Sequence, residues 1–276
     1  MSLMKKFLIS LILVAILLII FIVRNQERRE VVSMDFNKTS SNVTITLVYD
    51  NNKYQEGLTT DWGFSCFIKA GDKTILFDTG GNADILLDNM KKLDLDSKEI
   101  EIVFLSHVHG DHTGGLTGIL DVNPNVEVYL PKSFPEDFKK MIESYGSSVV
   151  EVSSPTNVCD GVYSTGELGT WIKEQSLVIR SMKGLVIVTG CSHPGIVNII
   201  RKAKELTNAD VYLVVGGFHL MGASDGEIKD IVKSFKSLGV KKVAPSHCTG
   251  ERAIEEFEKM YGSNFMRVGV GKKIEI

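Results

Sequence analysis

Short apolar or alternating runs recur from residue 43 onward, divided by polar breaks. Val43–Val48 alternates and is rich in branched residues, the signature of a strand. Phe64–Lys69 and Thr74–Phe77 flank the turn Ala70-Gly71-Asp72-Lys73 and predict a hairpin. Further strands are expected over Ile102–Leu105, Val126–Leu130, 185–189, 211–215 and 242–244, and Val149–Val152, Val158–Tyr163 and Leu177–Ile179 read as members of a second sheet. Helical spacing of apolar residues appears between them. It covers Asn82–Lys92, a short piece at 116–120, Pro131–Tyr145 with Pro135 in its first turn, and Pro194–Leu206. Ser224-Asp225-Gly226-Glu227 reads as a capping box for a helix ending at Leu238. Thr249 is expected to cap Glu251–Tyr261, which Gly262 stops. Trp171, in the Gly-containing stretch 164–175, is expected in the core. Strand and helix thus alternate, the pattern of an α/β domain.

The first residues follow another rule. Phe7–Val23 is seventeen residues without a charge, with Lys5 and Lys6 before it and Arg24, Arg28 and Arg29 after it. No polar face interrupts it, so a transmembrane helix is expected, serving as an uncleaved anchor. The organisation expected is an anchor or signal segment over residues 1–30, a polar tether over 31–42 and one catalytic domain over 43–276. That domain would be extracytoplasmic at a membrane, or secreted if the segment is cleaved.

Composition changes the picture little: 43% hydrophobic and 24% charged residues are ordinary for a globular chain. Without its first thirty residues the chain keeps 26 basic and 32 acidic residues, a net charge of −6. No basic stripe with interleaved aromatics appears, so nucleic-acid binding is not expected. A small-molecule substrate is. Cys66, Cys159, Cys191 and Cys248 form no CxxC pair; Cys191 and Cys248, beside the candidate ligands, read first as small buried packing residues, with metal ligands or redox-sensitive thiols as the alternatives.

Histidine carries the chemistry. Three of the six histidines lie in Ser106-His107-Val108-His109-Gly110-Asp111-His112, directly after a buried-strand pattern. His193, His219 and His247 each follow an apolar run with small residues nearby. Imidazole and carboxylate are the usual ligands of zinc, iron and manganese. A chain that places its histidines only at strand ends is building one site.

With its upstream Phe77-Asp78-Thr79-Gly80-Gly81, the chain resembles the metallo-β-lactamase superfamily over roughly residues 43–270. Gly190-Cys191-Ser192-His193-Pro194-Gly195, Gly216-Gly217-Phe218-His219-Leu220 and Pro245-Ser246-His247-Cys248-Thr249-Gly250 are similar to the branch of dihydropterin ribofuranosyl-aminobenzene-phosphate synthase-like proteins. The resemblance implies a four-layer αββα sandwich with one or two divalent ions at one edge, zinc first, with manganese or iron as alternatives. It implies that His107, His109 and His193 hold one ion, that Asp111, His112 and His247 hold the second, and that Asp78 orients ligands from beneath. Many relatives carry a bridging Asp where this chain has Gly216-Gly217-Phe218-His219. Either His219 replaces it as a ligand or substrate contact, or the ions share only hydroxide. The implied activity is hydrolysis of a small, anionic, phosphoester-like substrate by a metal-bound hydroxide, with Asp111, His219 and Asp78 as catalytic candidates. A pterin-related synthase and a non-catalytic metal-binding or sensing protein are the alternatives.

Overall fold

A computed structural model of the protein describes residues 38–39 and 42–276 and, of the segment before them, Ile16 alone. The anchor over residues 1–30, with its apolar run Phe7–Val23, and most of the tether lie outside the described residues. Among those described, no helix is long and apolar enough to cross a membrane.

Two sheets form the centre. The first contains β1 (Thr44–Asp50), β2 (Phe64–Ala70), β3 (Lys73–Phe77), β4 (Ile102–Phe104), β5 (Glu127–Pro131), β6 (Ser148–Val152) and β13 (Lys273–Glu275). Their order is β13-β1-β2-β3-β4-β5-β6. The second contains β7 (Thr156–Cys159), β8 (Val162–Ser164), β9 (Leu177–Ser181), β10 (Gly184–Thr189), β11 (Val211–Gly217) and β12 (Lys242–Ser246), in the order β12-β11-β10-β9-β8-β7. Strands β3 to β6 run parallel, as do β10 to β12, while the remaining pairings are antiparallel. Ile45, Leu47, Phe77 and Phe104 of the first sheet pack against Ile179, Val186, Val188 and Leu213 of the second.

Helices cover both outer faces. On the first sheet lie α1 (Ala83–Lys92), the single turn α2 (Gly110–Thr113), α3 (Leu116–Val122) and α4 (Glu136–Ser144). Leu86, Met90, Leu116, Ile119 and Ile142 supply their apolar face. On the second lie α5 (Ile196–Thr207), α6 (Asp225–Ser237) and α7 (Glu251–Tyr261), joined through Ile199, Ile200, Val232, Phe235 and Phe257. The architecture is the four-layer αββα sandwich. Because both faces of each sheet are covered, β11 reads as a continuous apolar run, and β1, although its polar and apolar residues alternate, is buried along nearly its whole length.

Several sequence expectations are corrected. Val149–Val152 belongs to the first sheet as β6, paired in parallel with β5. Val158–Tyr163 is two strands, because Gly161 turns the chain with φ +72° where a side chain would meet the Thr39 backbone. Residues 131–145 are helical only from Glu136, since Pro131 ends β5 and Pro135 stands at the cap. The Ser224 capping box is present. Thr249 is not a cap: its hydroxyl donates to Ser246 O (2.6 Å) and accepts Phe218 N (3.0 Å), and Gly250 takes the cap position. Trp171 is 97% exposed, because it sits on a tight excursion closed by the Leu168–Glu174 bridge, outside both sheets.

Candidate metal centre

All six histidines lie at carboxyl ends of strands or in the turns that follow, where an α/β sheet leaves room for a site. Strand β3 delivers Asp78, and β4 leads into Ser106, His107 and His109. Strand β10 leads to Cys191 and His193, β11 to His219 and β12 to His247.

Two adjoining donor groups result. The ligating atoms of His107, His109 and His193 lie within 4.8 Å of one another, with His107 Nε2 and His109 Nδ1 3.1 Å apart. Asp111, His112, Cys191 and His247 form a second set within the same span. The rings of His107 and His112 are 4.2 Å apart, so the sets are continuous. His219 belongs to neither. It is exposed, its ring is 4.5 Å from His193, and it groups instead with Cys191 and Cys248.

Hydrogen bonds fix which nitrogen of each buried imidazole is free. Asp78 Oδ2 accepts from the Ser106 hydroxyl and from His112 Nδ1, both at 2.7 Å, while Asp78 Oδ1 accepts Ser106 N at 2.7 Å. Having donated its proton, Ser106 Oγ accepts from His107 Nδ1 at 2.9 Å. Asn51 Oδ1 accepts from His247 Nδ1 at 2.9 Å. In all three rings Nδ1 is thereby the donor, and Nε2 presents a lone pair to the centre.

One of these lone pairs, that of His247, has no partner, and the same holds for Nε2 of His193. His193 Nε2 and His247 Nε2 are buried without a hydrogen bond, although His247 Nε2 stands 3.3 Å from Asp111 Oδ2. A buried unpaired nitrogen costs about 1–3 kcal/mol, and a cation placed between the donors removes that cost. The donor set of neutral nitrogens, one carboxylate and one thiol suits zinc or iron. The residues fit a divalent ion.

The backbone is bent to serve the centre. Asp78 (φ 51°), Ser192 (φ 64°), His219 (φ 54°) and His247 (φ 48°) all adopt the left-handed region, a cost that proteins concentrate at functional sites. Glu174, fully buried, holds one of these turns: its Oε1 accepts Cys191 N (3.1 Å) and Ser192 N (2.8 Å), and its Oε2 accepts His193 N (2.8 Å). Next to it, Gln175 Nε2 donates to Leu105 O (2.9 Å), at the end of β4.

Electrostatics follow burial. Burial, followed by the neighbouring imidazoles, holds His107 well below the usual histidine range. Burial, then His219, brings His193 down to about 4. Burial also pulls on His112, but Asp78 outweighs it and raises that ring. Asp111 is held below the carboxylate range, as His247 and His112 overcome the opposing effect of burial. Cys248 Sγ donates to Cys191 O (3.6 Å), and the closeness of the two thiols raises Cys191 and lowers Cys248.

The residues anticipated from sequence therefore converge, apart from the peripheral His219. Asn51, Glu174 and Gln175 were not anticipated. Asn51 lies in the break after β1, where Asp50-Asn51-Asn52 reads only as a turn, and Glu174 lies in a stretch without periodicity.

Residues 62–204 match the model of the metallo-beta-lactamase superfamily. The chain belongs to the metallo-beta-lactamase superfamily. It is 32% identical to the 7,8-dihydropterin-6-methyl-4-(beta-D-ribofuranosyl)-aminobenzene-5'-phosphate synthase of Methanocaldococcus jannaschii, over 88% of this chain and 99% of that protein. The crystal structure of Tm1679, described as a metal-dependent hydrolase of the beta-lactamase superfamily, matches with a TM-score of 0.71 at 31% identity, covering 85% of this chain and 99% of that one. The metallo-beta-lactamase fold protein YhfI from Bacillus subtilis shares the fold, with a TM-score of 0.65 at 15% identity over 86% of this chain and 100% of its own.

Proposed function

We propose that this superfamily member is a metal-dependent hydrolase of a small anionic, phosphoester-like substrate. The observation that carries the reading is the pair of adjoining donor sets in which His193 Nε2 and His247 Nε2 are buried and unpartnered. His107, His109 and His193 would hold one ion, and Asp111, His112 and His247 the second, with zinc the first choice and manganese or iron the alternatives. A divalent ion there supplies Lewis acidity and makes water acidic enough to attack near neutral pH.

The chain's own residues do the rest. Asp78, Ser106 and Asn51 lock three imidazoles with Nε2 inward. Asp111 is the lone carboxylate among the five converging imidazoles, so ligand charge does not cancel that of two cations, and an anionic group is drawn in. His219, exposed beside His193, is placed to touch the substrate or to give a proton to its leaving group. The resemblance to Tm1679 supports hydrolysis. The likeness to a synthase whose name carries a 5'-phosphate supports a pterin-related synthase as the second reading, and it suits the same anionic preference. For location, the Phe7–Val23 run supports a membrane anchor with the domain extracytoplasmic.

The test is elemental analysis of the full chain in detergent, with turnover of a phosphomonoester and a phosphodiester after zinc, manganese or iron reconstitution. Two ions per chain with turnover are expected. Ions without turnover of either ester would transfer the reading to the synthase, or to a binding or sensing role. A chain that holds no ion would overturn all of these.

A further inference from the structure

Resting on that two-ion reading, we infer that Cys191 is the fourth protein ligand of the second ion, bound as a thiolate. The Cys191 sulfur lies 3.2 Å from His112 Nε2. Asp111 Oδ2 lies 3.6 Å from His112 Nε2 and 3.3 Å from His247 Nε2. Tetrahedral coordination at ordinary zinc–nitrogen, zinc–oxygen and zinc–sulfur lengths spaces its donors by about 3.3–3.6 Å. Three of the six donor separations are thus already close to a tetrahedron's edges, and all four ligating atoms lie within 4.8 Å of one another. Cys191 and both histidines are buried, and His247 Nε2 has no other partner.

The sheet edge explains why sulfur serves here. A Cβ at Gly217 would lie 2.5 Å from Gly190 O and 2.7 Å from Cys248 Sγ. No carboxylate can therefore be mounted at Gly217 without displacing the Gly190 carbonyl and Cys248. Cys191 enters instead from the end of β10, where Glu174 holds its backbone N–H at 3.1 Å. The thiol proton passes to solvent as the ion binds, because the thiolate is the ligand. Cys248 Sγ donates to the Cys191 carbonyl at 3.6 Å and so holds the backbone that carries the sulfur. A thiolate in the set favours zinc, iron or cobalt over manganese and magnesium.

Cobalt(II) titration of the metal-free full chain in detergent tests this, with bound cobalt counted by elemental analysis. The wild type is expected to take two ions and develop the near-ultraviolet thiolate-to-cobalt absorption. Cys191→Ser should lose that band, and Cys248→Ser should keep it. Cys191→Asp should bind two ions without the band, which separates loss of a ligand from loss of the fold. Two bound ions without a band in the wild type would overturn the inference and leave the hydrolase reading standing. So would a band that survives Cys191→Ser, or one lost only in Cys248→Ser. Failure to bind cobalt at all would overturn both.

Discussion

The Glu174 carboxylate accepts the backbone N–H of His193 at 2.8 Å, so a residue nineteen positions earlier in the chain sets the direction of a candidate ligand. The same carboxylate takes Cys191 N and Ser192 N. Burial raises its pKa, and the amide hydrogen bonds oppose that rise. Glu174→Ala strands three buried amides, at roughly 1–3 kcal/mol each when unsatisfied. We expect the metal-free chain to lose about 3 kcal/mol or more in denaturant unfolding. Glu174→Gln, whose amide oxygen still accepts, should lose less. An alanine variant as stable as wild type would show that the turn holds itself.

Asp78 receives three hydrogen bonds on two oxygens, and only a carboxylate accepts on both. Asp78→Asn puts an NH2 group against either Ser106 or His112 and frees the His112 ring to turn. Loss of such a supporting carboxylate typically costs about 10–100-fold in metal affinity. The expected result is a drop of that size for the second ion in competition with a chromophoric chelator, with the first ion affected less. Unchanged affinity would mean that His112 is held by its packing alone.

Trp62 lies against His247 with ring centroids 4.8 Å apart and is 45% exposed, so it borders the site. An aromatic contact contributes about 0.5–1.5 kcal/mol beyond its area. Trp62→Ala should therefore raise KM about 2–10-fold for a substrate with an aromatic leaving group, with kcat and metal content retained. Loss of metal would instead make Trp62 a structural support of His247.

The fold was legible where burial imposes a period. Strands such as 211–217 are continuous apolar runs because helices and the facing sheet cover both of their sides. The histidines were legible because strand ends are the only place where so many imidazoles can converge. Glu174 and Asn51 were not, because each acts through backbone amides or one ring nitrogen brought near by tertiary folding, and neither contact leaves a local pattern. Trp171 was misplaced because ring size argues for burial, whereas the Gly169–Lys173 excursion turns the side chain outward. For Cys191 and Cys248 the sequence left packing, ligand and redox roles open, because only the folded sheet edge brings the Cys191 sulfur to 3.2 Å from His112.

The donors are divided between the two halves of the sandwich. His107, His109, Asp111 and His112 follow β4 of the first sheet, while His193 and His247 follow strands of the second. During synthesis, no ion can find three imidazoles of its first group before residue 193 has been made, and the last donor arrives at position 247 of 276. Acquisition of a metal by these donors would therefore be a late event in the life of the chain, a check that both halves have been made and joined. A truncated or unpaired half would carry ligands that never meet.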